Sequence, residues 1–310
     1  SKDCNVIVSH HPIVFDGLKS LTGKSYVERT VLKAIKNNIA LYAIHTNLDN
    51  IDTGVNKMIA DRLSLQNVKI LKPKKRGLKM LITYVPNSHV ESVRTALFAQ
   101  GAGSIGEYSE CHFSVDGIGT FKGSENSNPA VGKKLVRESV SEQRIELVFP
   151  SYIESKVIST LKTIHPYEEV AYSVLSLNNK NENVGSGMIG EISEPLNEME
   201  FLKNLKIKLK TDCIRYTSLL NSKIKKVALC GGSGRFLLNA AKQSGADIFI
   251  TSDFKYHEFF DAENRILIAD IGHYESEQYT MDLIADFLRK NFPKFAIHLS
   301  KVNTNPINYL

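Results

Sequence analysis

With 310 residues, 42% hydrophobic and 23% charged, the chain has an ordinary globular composition and length enough for two or three domains. Its formal charge of +6, from 39 Lys and Arg against 33 Asp and Glu, is mildly basic without a dense basic stripe, which suits an anionic small ligand and gives nucleic acid no support. No apolar run approaches the ~20 residues that span a bilayer, and the four cysteines stand far apart with no C-x-x-C pair, which excludes a disulfide framework or zinc ribbon and fits a reducing, cytoplasmic compartment.

The chain opens on Ser1-Lys2-Asp3 without a signal-peptide pattern and enters at once a buried strand, Val6-Ile7-Val8. A domain seldom begins on a buried strand, so an N-terminal part is expected to be missing from this sequence. Tyr26 to Asn37 has helical spacing through Val27, Val31, Leu32 and Ile35. Ile39 to Ile44 reads as a second buried strand and Gly54 to Leu63 as another helix. Strands alternating with helices predict a doubly wound, mostly parallel α/β sheet. Lys72-Pro73-Lys74-Lys75-Arg76 then breaks the pattern as a linker.

From Leu78 the chain carries a faint internal repeat. Leu78 to Val85 is a strand ending in Pro86, followed by a helix from Ser88 to Phe98. Arg144 to Phe149 is a strand ending in Pro150, followed by a helix from Tyr152 to Ile164, and the last strand is Ala171 to Leu177. Two β-α-β units predict the split arrangement of a ferredoxin-like α+β unit. Asn178 to Gly187 reads as a second linker. After Met188 the α/β rhythm returns with strands at Lys226 to Cys230, Asp247 to Thr251 and Arg265 to Ala269. A helix follows from Tyr279 to Lys290, and a closing strand is read at Ala296 to Val302. The predicted organisation is one α/β domain made from both chain ends, residues 1–76 and 186–310, interrupted by an insert at 78–177.

Three strand ends carry the chemistry. Ser9-His10-His11-Pro12 places two imidazoles at the carboxyl end of the first strand, where open α/β sheets bind their ligands. Neighbouring side chains on extended backbone point apart, so the pair serves two ions more readily than one. Taken alone, two histidines are better explained by packing. The second strand ends in His45-Thr46-Asn47-Leu48-Asp49, and the third in Asp270-Ile271-Gly272-His273-Tyr274-Glu275-Ser276-Glu277. In a helix starting near His273, Glu277 shares its face, whereas Glu275 is the competing carboxylate. Imidazole and carboxylate converging from three strand ends predict a site for zinc, iron or manganese, with a carboxylate able to bridge two ions.

Two further features are weaker. Gly231-Gly232-Ser233-Gly234 could cradle a phosphate on backbone amides, but it lacks the P-loop lysine and reads equally as a tight turn. Asp253-Phe254-Lys255-Tyr256-His257-Glu258 follows another strand end, so His257 is a candidate acid or base, with a surface helix as the plainer reading. His112 and His165 are most simply structural. His165-Pro166-Tyr167-Glu168-Glu169 fits an oligomer contact or a small-ligand site equally well.

Ser9-His10-His11-Pro12, His45-Thr46-Asn47-Leu48-Asp49 and Gly272-His273-Tyr274-Glu275-Ser276-Glu277 together resemble the Nif-three-like dinuclear metal proteins, also called GTP cyclohydrolase I type 2 homologues. Tyr84-Val85-Pro86, Gly101-Ala102-Gly103, Tyr108-Ser109-Glu110-Cys111 and His165-Pro166-Tyr167-Glu168-Glu169 resemble the CutA-like or PII-like insert of the longer members. The resemblance implies His10, His11, Asp49, His273 and Glu277 as ligands of two divalent ions per chain, with zinc the first expectation. It places His45 beside the site and implies a toroidal homohexamer with the metals facing an internal cavity. The family's leading segment with an Asp-Asn-Val-Gly motif is not found here. The expected activity is metal-dependent hydrolysis of a nucleotide or other phosphorylated small molecule, with His45 and His257 as candidate bases. The alternative is a non-enzymatic, ring-forming regulatory protein whose insert senses a small molecule.

Overall fold

The computed structural model describes residues 4–310, so the opening Ser1-Lys2-Asp3 lies outside the described residues. In chain order the strands are β1 (Val6–Ser9), β2 (Ala40–Ala43), β3 (Gln66–Lys75), β4 (Leu78–Pro86), β5 (Phe113–Lys122), β6 (Arg137–Pro150), β7 (Tyr172–Ser176), β8 (Lys180–Asn197), β9 (Arg215–Tyr216), β10 (Lys223–Ser233), β11 (Ile248–Ser252) and β12 (Leu267–Asp270). The α-helices are α1 (Tyr26–Lys36), α2 (Thr46–Asp49), α3 (Val55–Arg62), α4 (Val90–Ala99), α5 (Glu154–Ile164), α6 (Glu198–Lys208), α7 (Leu238–Gln243), α8 (His273–Glu277) and α9 (Thr280–Asn291). Among the described residues, no helix is long and apolar enough to cross a membrane. The architecture is mixed α/β, in two compact units: residues up to Pro73 with Glu182–Leu310, and Lys74–Asn181.

The first unit is organised by three apolar runs. Val227 to Cys230, Ile248 to Ile250 and Leu267 to Ala269 form the parallel strands β10, β11 and β12. Side chains alternate across a strand, so each run supplies two cores. Val227, Leu229, Ile248, Ile250, Leu267 and Ala269 pack on one face with Val55 and Ile59 of α3 and Leu205 of α6. Ala228, Cys230, Phe249 and Ile268 pack on the other with Leu238 and Ala241 of α7. Phe249 is fully buried, and truncation there to Ala would cost ~3–5 kcal/mol.

The full sheet order is β3-β8-β10-β11-β12-β9, with β8 and β9 antiparallel to their inner neighbours. Three expectations are corrected here. The stretches read as linkers belong instead to strands, because β3 runs to Lys75 and β8 starts at Lys180. Pro73 is tolerated because β3 lies at the sheet edge. At Gly185 a Cβ would stand 2.3 Å from Lys72 O, so the absent side chain permits the close approach of β3. The closing strand at Ala296–Val302 is not formed, since β9 takes the edge beyond β12. Finally, β1 and β2 do not join the large sheet but pair in parallel as a two-stranded sheet. Val6 and Ile7 are accordingly half exposed rather than buried.

The second unit runs β4, α4, β5, β6, α5, β7, with an antiparallel sheet in the order β5-β6-β4-β7. Leu81, Val85, Ile145, Leu147 and Phe149 alternate toward one face, where they bury Val93 and Leu97 of α4 and Val157 and Leu161 of α5. His165 is buried in this unit between Tyr84 O and the Tyr167 amide, a structural position.

Candidate metal centre

The carboxyl ends of β1 and β2 are held in step past their last residues. Ile44 N donates to Ser9 O and His45 N to His10 O, at 3.2 and 2.9 Å. Ser9 Oγ donates to His11 O and shapes the turn after the strand. His45 adopts φ 43°, a left-handed value costing a non-glycine residue ~1–3 kcal/mol, and the chain then turns into α2. That reversal brings Asp49 back to the histidines. Asn56, buried on α3, donates to Asp49 O at 2.8 Å and accepts from Gly231 N at 2.9 Å, tying the end of α2 to β10.

The third element is α8, which begins at His273 directly after Gly272 at φ 90°. Its ring and the Glu277 carboxylate lie one turn apart on one face. Glu277 Oε2 sits 3.2 Å from Nε2 of His273, 3.2 Å from Nε2 of His11 and 3.5 Å from Nε2 of His10. His10 Nε2 is also 3.5 Å from Asp49 Oδ1. His11 Nε2 and His273 Nε2 face each other at 3.3 Å. Ligand atoms of His10, His11 and Glu277 all lie within 4.8 Å of one another, and Asp49 and His273 adjoin them.

The donors fit a metal. Both ring nitrogens of His10, Asp49 Oδ1 and Glu277 Oε2 are buried without a hydrogen bond of normal geometry. Buried polar atoms are otherwise nearly always paired, and leaving one unpaired costs ~1–3 kcal/mol. A set of imidazole nitrogens and carboxylate oxygens pointing at each other is what a borderline divalent ion satisfies.

Electrostatics follow from the crowding. Burial pushes the Glu277 carboxyl up, but hydrogen bonding from His10, His11 and His273 outweighs it and holds Glu277 well below the usual carboxylate range. Burial pushes Asp49 up to about 6, against the opposing pull of His10. The bond to Glu277, with that to Asp253, pushes His273 up to about 9 despite burial. Burial and the neighbouring His11 and His10 lower His45. Cys230 is buried and pushed up to about 12, with Asp49 and Glu277 adding to the effect, so it stays a neutral thiol.

His45 stands beside the cluster, its ring 5.3 Å from that of His11, 5.8 Å from that of His10 and 5.6 Å from the exposed Phe15. His257 is not brought in. It stands exposed on the short 3-10 helix Tyr256–Ala262 with its ring against Tyr256. Glu275 is also directed elsewhere, accepting from Asn305 Nδ2 at 3.0 Å. It is 5% exposed, so it is a buried group and not a surface charge.

Sequence reading misses three residues. Asp253, at the end of β11, accepts from His273 Nδ1 at 2.6 Å. That is how a ligand histidine is oriented and its tautomer set, and a carboxylate one strand over from His273 is the signal that could have found it. Asn56 is the second. The third is Gly232, at φ 63°, whose missing side chain leaves room for Glu277. The Gly231–Gly234 run is the bulged end of β10 rather than a free turn or a phosphate cradle. Its amides are already taken, Gly231 N by Asn56, Gly232 N by Ser276 and Gly234 N by Thr251.

The comparisons with known proteins agree with one another. The family model described as Duf34/NIF3 (NGG1p interacting factor 3) matches residues 1–306. A Bacillus subtilis relative called GTP cyclohydrolase 1 type 2 homolog is 38% identical over 315 residues, covering 100% of this chain and 84% of the relative. A Halalkalibacterium halodurans relative of the same name is 36% identical, covering 98% of this chain and 83% of its own. Among solved structures, a Bacillus cereus protein related to NIF3 superposes with TM-score 0.83 at 38% identity, covering 99% of this chain and 83% of that one. A Staphylococcus aureus protein superposes with TM-score 0.72 at 30% identity, covering 99% and 82%.

Proposed function

The chain belongs to the Duf34/NIF3 family, and from that premise and the geometry of the cluster we propose that it is a dinuclear metal-dependent hydrolase of a nucleotide or other phosphorylated small molecule. The observation that carries this reading is Glu277 Oε2, which meets Nε2 of three histidines at 3.2–3.5 Å while buried and without a hydrogen bond of normal geometry. His10, His11, Asp49, His273 and Glu277 would hold two divalent ions, zinc first, with iron and manganese accepted by the same donors. When bound, such a pair supplies Lewis acidity and brings a water toward ionisation near neutral pH.

The chain's own residues do the remaining work. Asp253 holds the Nδ1 proton of His273, which turns the Nε2 lone pair toward the cluster. His45 is lowered by burial and by His11, so it is neutral and able to accept a proton at pH 7. It lies next to the cluster and next to exposed Phe15, whereas His257 does not, so the base role falls to His45. The relatives' name points to GTP, but no residue here reads guanine, and the substrate class stops at a phosphorylated small molecule. The same proposal takes Lys74–Asn181 as a ferredoxin-like, CutA/PII-like insert, supported by its strand order and two β-α-β units, within a doubly wound domain. A homohexamer is part of it and is tested by sedimentation of the full chain.

The deciding experiment is a turnover screen of the metal-loaded protein against nucleotides and phosphoesters, with Glu277→Gln alongside. Turnover that disappears on chelation and in the variant supports the hydrolase. Bound metal with silence across the panel overturns it and leaves a metal-binding regulatory protein.

A further inference from the structure

The segment His165-Pro166-Tyr167-Glu168-Glu169 is not used by the metal cluster, and it borders a cavity of about 720 Å³ within the unit Lys74–Asn181. Small-molecule sites run to roughly 300–1,000 Å³. The cavity lies on the face of β4 and β6 opposite the helices, because its lining residues Tyr84, Glu142 and Arg144 alternate with Val85 and Ile145 of the core. The chain between β5 and β6 is latched over it, since Asn128 N donates to Glu168 Oε1 at 2.8 Å.

At the centre is Glu142, only 8% exposed. Its Oε1 accepts from the Tyr167 hydroxyl at 2.7 Å. Tyr167 N donates to His165 Nδ1 at 3.1 Å, and His165 Nε2 lies 2.9 Å from Tyr84 O, so the carboxylate is tied through Tyr167 and His165 to the backbone of β4. Burial, with the bond to Glu142, pushes the Tyr167 phenol up, so it remains a donor. Gly119 faces the second oxygen: a Cβ there would stand 2.1 Å from Glu142 Oε2. Glycine at 119 therefore leaves that oxygen its space, and Oε2 accepts no hydrogen bond from the described residues.

The other charges on the lining are spoken for. Arg144 pairs with Glu146 at 2.8 Å, Asp116 accepts from Gln143, and Glu168 accepts from Asn128. Lys122 and Glu169 are exposed to solvent. Glu142 thus presents one carboxylate oxygen to the cavity while a neutral phenol bonds the other, an arrangement that a cation or further donors would complete. Phe121 and Tyr167, with ring centroids 6.0 Å apart, offer aromatic faces beside it, and aromatic faces attract cations.

We propose that this cavity is a second binding site, independent of the metal cluster, for a small organic ammonium ion on an apolar body, with Glu142 as its anchor. The probe is benzylamine, compared with benzyl alcohol and benzoate by isothermal titration of the full chain. Benzylamine is expected to bind saturably and at least tenfold more tightly than either, to lose at least tenfold in Glu142→Gln, and to bind unchanged in Glu277→Gln. Because Glu142→Gln could disturb folding, crystals soaked with 4-bromobenzylamine give an independent reading, with the anomalous bromine peak expected inside the cavity. Equal binding of the three probes, an undiminished affinity in a folded Glu142→Gln variant, a bromine peak elsewhere, or a second copy of the chain filling the cavity would each overturn the proposal.

Discussion

Gly232 comes so close to Glu277 that a Cβ built on it would stand 2.4 Å from Glu277 Oε1 and 3.4 Å from His273 Cε1. The bulge at the end of β10 thus delivers a backbone edge where any side chain would push the carboxylate out of the cluster. Gly232 is also at φ 63°, which an L residue adopts reluctantly. Gly232→Ala is expected to destabilise the protein by ~1–3 kcal/mol and to lower bound metal. Thermal melts with elemental analysis check both, and full metal content in a folded variant would remove Gly232 from the site.

The two carboxylates of α8 separate cleanly in space, so their variants should separate in measurement. Glu277→Gln replaces a ligand by a neutral amide and is expected to lose at least one metal ion per chain. Glu275→Gln keeps an oxygen for Asn305 but alters a buried group, so it should retain metal and cost ~0.5–1.5 kcal/mol, about one hydrogen bond. Metal loss in Glu275→Gln alone would reassign the ligand.

Asp253 touches His273 and is 44% exposed on its side chain, so it is not needed for the fold. Asp253→Asn should leave the melting temperature of the metal-free protein nearly unchanged while weakening metal binding by about 10–100-fold, the usual effect of removing the partner of a ligand histidine. Competition against a chromogenic chelator measures it, and an unchanged affinity would show that His273 is oriented without Asp253.

Much of this site was legible because parallel strands end together. His10, His11, Asp49, His273 and Glu277 sit in motifs after apolar runs; β1 and β2 end together in their own two-stranded sheet, β12 ends in the large one, and the residues after these ends meet at the cluster. Asp253 was not legible, because its contact with His273 depends on the register that sets Thr251 against Asp270. His257 drew attention as a titratable residue near the same strand end, yet its helix turns it outward. The end of edge strand β3 and the start of its neighbour β8 read as linkers because Lys, Pro, Asn and Gly favour loops locally, whereas pairing across the sheet overrides that preference. The repeat at Leu78–Val85 and Arg144–Phe149 was visible because both strands bury one alternating face.

The raised value of His273 makes metal binding a competition with a proton. In the metal-free protein the Glu277 bond pushes His273 up to about 9, above its ordinary 6.5. The ring therefore contributes stability below pH 6.5 that is lost as pH rises through about 9. A metal needs the ring neutral, so binding between these values releases a proton and tightens as pH rises. Titrations of zinc at pH 7 and 8 in buffers of differing ionisation enthalpy should show that release, and His273→Gln should diminish it. A pH-independent affinity would contradict the assignment of His273 as a ligand.

Excision of Lys74–Asn181 tests whether the metal-binding unit is self-sufficient. Its two segments meet where the excised part leaves them, because Lys72 O stands 2.3 Å from the Cβ position of Gly185 in the neighbouring strand. A linker of a few Gly and Ser residues can therefore join Pro73 to Glu182 without stretching either strand. All five candidate ligands, with Asn56, Gly232 and Asp253 that support them, lie in the retained segments. The core between β10, β11, β12 and their covering helices is also retained whole. The shortened protein is expected to melt cooperatively and to bind as much metal per chain as the full chain, while losing the ammonium site. Insolubility or loss of metal across several linker lengths would show that the unit depends on the excised part to fold.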